Sequence, residues 1–221
     1  MKVIVFGATG MVGQGVLREC LLDPGVESVL VVGRSPTGHE HAKLNEIVRP
    51  DLFDLSAIEG ELSGYGACFF CLGVSSAGMG EAEYRHLTYD LTLSVARSLA
   101  KASPGMTFLY VSGAGTDSTE SGRMMWARVK GATENALLRM PFKAAYMFRP
   151  GYIQPVHGAQ TRTKWYGIVY AVLAPLYPVG EALVPKYVTT TERLGRAMIR
   201  VARAGNPDRV LASVDINRVA G

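Results

Sequence analysis

The chain is short of cysteine, of net charge and of long apolar runs, and each shortage removes a class of protein. Three cysteines in 221 residues are too few for a disulfide framework and fit a reducing setting. Two of them, Cys68 and Cys71, form a C-x-x-C within "ACFFCLG", an apolar run that reads as a buried strand. Residues three apart on a strand point to opposite faces, so neither a dithiol pair nor a shared metal fits this spacing. His39 and His41 stand two apart in a loop without the further ligands of a zinc site, and no metal is expected. The 23 basic and 19 acidic residues leave +4 spread along the chain, which argues against nucleic acid. The apolar stretch Trp165–Val179 carries Pro175 and Pro178 and falls short of the roughly 20 residues of a membrane span. The N-terminal "MKVIVFGATG" reaches a glycine turn before a signal-peptide core of about 7–15 apolar residues can form, so the chain is expected in the cytoplasm.

What is present is an alternation. Runs rich in valine and isoleucine recur as "KVIVFG", "SVLVVG", "LNEIV", "ACFFCLG", "TFLYVSG" and "AAYMFRPG". Helical patterns fall at 11–22, 81–102 and 124–139, with a short helix allowed by Leu55, Ile58 and Leu62. Strand alternating with helix means βαβ units and a parallel sheet. The expected fold is α/β, a Rossmann-type doubly wound parallel sheet forming one domain over 1–221. Residues 152–187, rich in proline and tyrosine, are expected as a substrate-side region or lid, and 163–183 as a possible contact with a second copy or a protein partner. A helix over about 190–204 places Arg193, Arg196, Arg200 and Arg203 on a solvated basic face, and "DRVLASVDI" supplies a final strand.

Gly7, Gly10 and Gly13 lie in "VIVFGATGMVGQGV", after the first strand and at the start of the first helix. Glycine in this order permits the tight turn, the approach of a pyrophosphate and close helix–strand packing, while the helix N-terminus presents free N–H groups to the phosphates. A carboxylate is missing about twenty residues further on, where the ribose of NAD would need one. Arg34 and Ser35 stand there instead and suit the 2′-phosphate of NADP, which is the expected cofactor ahead of NAD.

The ordered set "GATGMVG", "CLGVSSAG", "YVSGAGTD", "RVKGATENAL" and "FRPG" resembles the short-chain dehydrogenase/reductase superfamily in its atypical NAD(P)H-binding branch, of NAD-dependent epimerase/dehydratase kind. It looks most like the Tat-interacting oxidoreductase-like proteins and their bacterial relatives, over about residues 1 to 204. The resemblance implies that Gly7, Thr9, Gly10, Met11, Val12 and Gly13 surround the pyrophosphate and that Arg34 meets the ribose phosphate. It sets Asp51 and Leu52 at the adenine, Leu72 and Gly73 beside the cofactor, and Pro150 and Gly151 near the nicotinamide.

Typical members carry Tyr-x-x-x-Lys, the tyrosine acting as acid or base and the lysine holding the nicotinamide ribose. Here Lys130 matches the lysine, but Trp126 occupies the tyrosine position, and no lysine in the chain has tyrosine four residues before it. An indole N–H cannot cycle a proton near neutral pH. Ser112 stands at, or one residue before, the position of the family's polarising serine, with Gly113 the other occupant. Two readings follow. One is an NADP-dependent oxidoreductase of a small carbonyl or hydroxyl compound, whose proton comes from Tyr152, Tyr84, His157 or an ordered water. The other is a non-catalytic dinucleotide sensor that docks a protein partner.

Overall fold

A computed structural model describes residues 1–160 and 187–221. The expectations for Trp165–Val179 and for a contact surface over 163–183 lie outside the described residues, as does most of the 152–187 region.

Seven strands form one sheet in the order β3-β2-β1-β4-β5-β6-β9, every neighbouring pair parallel. They are β1 Lys2–Phe6, β2 Ser28–Gly33, β3 Leu44–Val48, β4 Ala67–Phe70, β5 Thr107–Val111, β6 Ala144–Arg149 and β9 Val210–Ala212. Two short strands, β7 Tyr152–Gln154 and β8 Val188–Thr190, pair in parallel beside the main sheet. The described helices are α1 Met11–Leu22, α2 Glu81–Arg85, α3 Leu91–Ala102, α4 Met125–Leu138, α5 Thr191–Ala204 and α6 Ser213–Ala220. A 3-10 turn at Ser56–Leu62 and a π turn at His86–Asp90 complete the set, the latter joining α2 to α3.

The period of two along each strand sorts the core into two layers. Val3, Val5, Val29, Val31, Phe69 and Leu109 face one side, where α1, α5 and α6 supply Val16, Leu17, Leu194, Met198 and Ile216. Ile4, Phe6, Leu30, Phe70, Phe108 and Met147 face the other, against Ile58, Leu62, Val95, Leu99 and Leu137. Burying such side chains stabilises by roughly 1.5–3 kcal/mol each. Cys68 belongs to the second layer and Cys71 packs against the first, so the C-x-x-C is split across the sheet. Burial pushes the Cys71 thiol up to about 12 and Cys68 well above its ordinary range, which leaves both as inert core thiols.

One expectation is corrected. Of "DRVLASVDI", only Val210–Ala212 is strand, and Ser213 starts helix α6. The Asp215 carboxylate accepts the Ala212 N–H at 3.1 Å, and Ile216 and Ala220 bury one face, so the local capping chemistry outweighs the apparent alternation. The basic face of α5 is exposed as expected, and it is also ion-paired and hydrogen-bonded: Arg196 Nε donates to Glu19 at 3.0 Å, Arg203 to Asp23 at 2.7 Å and Arg200 to the Val219 carbonyl at 2.8 Å.

Candidate functional site

The sheet order reverses at β1, with β2 on one side and β4 on the other, so the crevice over the C-terminal ends of these strands is where an open α/β sheet takes a ligand. The chain crosses that crevice as the glycine turn. Gly7 sits at φ +80°, a left-handed conformation that favours glycine, and a Cβ there would lie 2.7 Å from the Cys71 carbonyl carbon and the Leu72 nitrogen. The turn therefore touches the end of β4 and brings Leu72 and Gly73 alongside. A Cβ on Gly13 would fall 2.0 Å from Gly7 O, so α1 runs directly against the turn. Gly10 differs: a Cβ there would meet only Gly7 O, at 3.4 Å, so its outward side is open. Gly10 caps α1 without a side-chain hydrogen bond, and the first turn, which begins at Met11 and Val12, holds no acidic residue. The positive end of the helix dipole is thus uncompensated and suits an anion.

Arg34, Asp51, Leu52, Leu72 and Gly73 line one cavity of about 190 Å³. Pro50, Phe53, Val74, Leu87 and Leu91 complete its wall; Leu87 and Leu91 are not legible from sequence, because which face of the α2–α3 segment meets the crevice is a tertiary outcome. A second cavity, of about 380 Å³, opens beside Thr9 and is lined by Gln14, Pro36, Thr37, His39 and Gln160. Gln14 spans its floor: the side-chain amide donates to the carbonyls of Thr9 and Gln160 at 3.0 and 3.1 Å and accepts the Gln160 N–H at 3.0 Å. Among the described residues no cluster of three or more histidine, cysteine or carboxylate side chains could hold a metal ion.

Further along the crevice, α4 presents Trp126 and Lys130 one turn apart on one face. The indole edge lies against Gly115, where a Cβ would be 3.2 Å from Trp126 Cη2. Lys130 Nζ stands 5.7 Å from the ring centroid of Tyr110 on β5. Burial lowers the Lys130 ammonium to about 8 from its ordinary 10.5, with Glu134 pulling the other way. Glu134, 1% exposed, accepts both from Arg149 Nε, at 3.0 Å to each oxygen, and from Arg149 Nη2, which also reaches Ser118. This buried pair pins α4 to β6 beneath Lys130. Glu134→Gln is expected to leave the Arg149 charge uncompensated and to destabilise by about 3–5 kcal/mol in urea unfolding; a change below about 1 kcal/mol would mean the pair does not hold the helix.

Ser112 ends β5 at 9% exposure, its hydroxyl 3.0 Å from Thr116 Oγ1. Thr116 already donates its proton to the Gly113 carbonyl at 2.8 Å, so Ser112 must be the donor between the two hydroxyls. Its hydrogen is committed inward. Gly113 offers no side chain, and Pro150 O accepts the Ala114 N–H at 2.8 Å, tying the β5 and β6 ends together, while the Gly151 N–H is held by Ser213 Oγ at 2.9 Å. The other named donors are engaged too. Tyr84 is only 2% exposed, Tyr152 Oη donates to Gln154 at 2.8 Å, and His157 pairs with Glu192 at 2.8 Å.

The sequence pattern of the NAD dependent epimerase/dehydratase family matches residues 3–122. The chain belongs to that family. Its relatives include Protein FMP52-1, mitochondrial, of Scheffersomyces stipitis, 28% identical over 69% of this chain and 67% of its own length. Protein fmp52-2, mitochondrial, of Aspergillus oryzae is 25% identical over 97% of this chain and 95% of its own. Protein HTATIP2 of Rattus norvegicus is 28% identical over 69% of this chain and 62% of its own, which bears out the resemblance to the Tat-interacting proteins and to the atypical short-chain dehydrogenase/reductases. Among solved structures, the Bordetella bronchiseptica enzyme WbmF in complex with NAD+ superposes with a TM-score of 0.70 at 17% identity, covering 99% of this chain and 76% of that one. MoeE5 in complex with UDP-glucose and NAD gives 0.66 at 18% identity, over 98% and 79%. The fold expected from the sequence, a Rossmann-type doubly wound parallel sheet, is the one observed, and these solved structures share it. The cytoplasmic placement is corrected: several relatives are named mitochondrial, and "KVIVF", which carried that expectation, is the inner strand β1. Among the described residues no helix is long and apolar enough to cross a membrane.

Proposed function

We propose that the protein is an NADP(H)-dependent oxidoreductase of a small, largely apolar carbonyl compound, in which Lys130 supplies the proton that a tyrosine gives elsewhere. The residues fit the cofactor. The open side of Gly10, the uncapped start of α1 and the cavity of about 190 Å³ between Arg34 and Leu72 offer in sequence a place for a pyrophosphate and an adenosine. Arg34 has no carboxylate partner among the described residues and favours a 2′-phosphate over a bare ribose. When bound, NADPH supplies the hydride.

The observation that carries the reading is Lys130 itself: a half-buried ammonium over the Tyr110 ring, on the same helix face as Trp126, and lowered to about 8. An acid of that strength is largely protonated at neutral pH and gives its proton up readily. Nζ donates to the substrate oxygen, its proton passes to the forming alkoxide, and the neutral amine takes a new proton from solvent. Trp126 offers a flat apolar wall to the carbonyl compound and keeps water off the reacting pair. Ser112, its hydrogen held by Thr116, positions the β5 end rather than polarising the substrate.

The sign of the pH dependence follows. Reduction needs the charged form, so kcat is expected to hold below about 8 and to fall as pH rises through that value. Lys130→Arg cannot lose its proton in this range and should abolish that break while lowering the rate by about 10²-fold or more. A break that persists in Lys130→Arg would assign the proton to another group. For the cofactor, Arg34→Asp should reverse a preference for NADPH over NADH in calorimetric titration; equal affinities in wild type would remove the NADP reading. The sensor reading keeps one observation in its favour, the inward commitment of the Ser112 hydrogen, and predicts tight NADPH binding with no turnover.

A further inference from the structure

Arg49 follows β3 directly, in "IVRPD", and the structure gives its side chain an unusual position. Its Nε is sealed from solvent and has no hydrogen-bond partner. A buried guanidinium N–H left without an acceptor costs free energy, so a group with this surrounding calls for an anion. The register shows where that anion would lie. Gly33 pairs with Val48, and the Arg49 N–H donates to the Gly33 carbonyl at 2.8 Å, so Arg49 sits beside Arg34 at the ends of adjacent parallel strands. On β2, Leu30 and Val32 face the layer that also receives Ile47 of β3. Continuing the alternation by one step puts Arg34 and Arg49 on that same face, Arg34 lining the cavity that holds Asp51, Leu52 and Leu72 and Arg49 beside it on the next strand.

Nearby carboxylates do not neutralise the two arginines. Asp51 accepts the Phe53 N–H at 2.8 Å and Asp54 the Ser56 N–H at 2.9 Å, while Glu46, on the opposite face of β3, accepts the Thr37 N–H at 2.9 Å. Asp54 feels Arg49 only as a minor influence beside its hydrogen bonds to Ser56, and neither arginine has an ion-pair partner within 4.0 Å among the described residues. We propose that Arg49 is a second specificity-determining residue, and that Arg34 and Arg49 together grip the 2′-phosphate of the adenosine ribose from two strand ends. The inference rests on the NADP reading above. It adds a ligand that the glycine motif and the residue after β2 do not disclose.

The test uses adenosine fragments and needs no turnover. Calorimetric titration of the full chain with 2′,5′-ADP and with 5′-AMP isolates the 2′-phosphate. Wild type is expected to bind 2′,5′-ADP more tightly than 5′-AMP. Arg49→Met should lose about ten- to a hundredfold of its 2′,5′-ADP affinity and leave 5′-AMP binding unchanged, which also shows that the adenosine cavity is still folded. Arg49→Lys should recover part of the loss. Equal losses for both fragments, or no loss for either, would overturn the assignment while leaving Arg34 and the NADP reading standing. Equal wild-type affinities for the two fragments would overturn both together.

Discussion

Gly13→Ala is expected to destabilise the fold severely, whereas Gly10→Val, three residues earlier in the same motif, is expected to leave a folded protein that no longer binds a dinucleotide. The two glycines serve different physical ends. A methyl group on Gly13 would lie 2.0 Å from Gly7 O, 2.6 Å from Gly7 C and 2.8 Å from Ala8 Cα. All three are backbone atoms of the turn, which Gly7 in turn presses onto the end of β4, so nothing nearby can swing aside. The cost should be of order 3 kcal/mol or more and show as a large drop in Tm. At Gly10 the first atom met is Gly7 O at 3.4 Å, and the backbone, at φ −84° and ψ 160°, is extended and open to any residue. Valine there fits the protein and fills the space a pyrophosphate needs. Circular dichroism melts with calorimetric NADPH titration separate the cases. A Gly10→Val protein that still binds NADPH would make the turn a purely structural feature, and an unperturbed Tm for Gly13→Ala would contradict the packing of α1 on the turn.

Trp126→Tyr is expected to raise carbonyl reduction by about ten- to a hundredfold. The substitution sets a phenol one helical turn before Lys130, whose ammonium lowers the phenol's pKa and makes it a competent acid. The indole edge now rests on Gly115, and the smaller ring leaves room there for the substrate oxygen to reach the new hydroxyl. The gain stays below that of a complete site, because the hydrogen of Ser112 remains held by Thr116. Steady-state NADPH oxidation by both proteins over one panel of aldehydes, quinones and diketones measures it. A fall in activity would show that the indole shapes the substrate pocket, and no activity in either protein would sink the oxidoreductase reading for that substrate class.

The parts of the site that could be read from sequence are those set by chain order. A glycine turn after the first strand, an arginine after the second, "RPDL" after the third and "CLG" after the fourth all fall at C-terminal strand ends, and a parallel sheet gathers such ends on one edge. Four of these segments therefore met at the crevice as expected. What sequence could not supply is whatever depends on partners far along the chain. The ion pairs of the exposed basic face of α5 were not legible because Glu19 and Asp23, which pair with Arg196 and Arg203, lie 177 and 180 residues away. The engaged state of Ser112 needed the fold of the loop that brings Thr116 back to it. Arg49 carries no motif in the sequence, and only the register that sets it beside Gly33, with its Nε buried, singles it out. The break in "DRVLASVDI" turned on the Asp215 side chain reaching back to Ala212, a capping signal that was present in the sequence and was overridden by its apolar alternation.

In the proposed reaction a nicotinamide lies over Lys130 and delivers hydride to a carbonyl compound. Its most direct test is a single-turnover reaction with NADPH deuterated at nicotinamide C4, in the pro-R or the pro-S position, followed by mass spectrometry of the product alcohol from the carbonyl panel. Deuterium from one of the two positions, and only one, is expected to enter the product carbon, and Lys130→Met is expected to bind the same cofactor without transferring deuterium. Tight NADPH binding by wild type with no deuterium in any product would rule out hydride transfer to these compounds and leave the chain a dinucleotide binder.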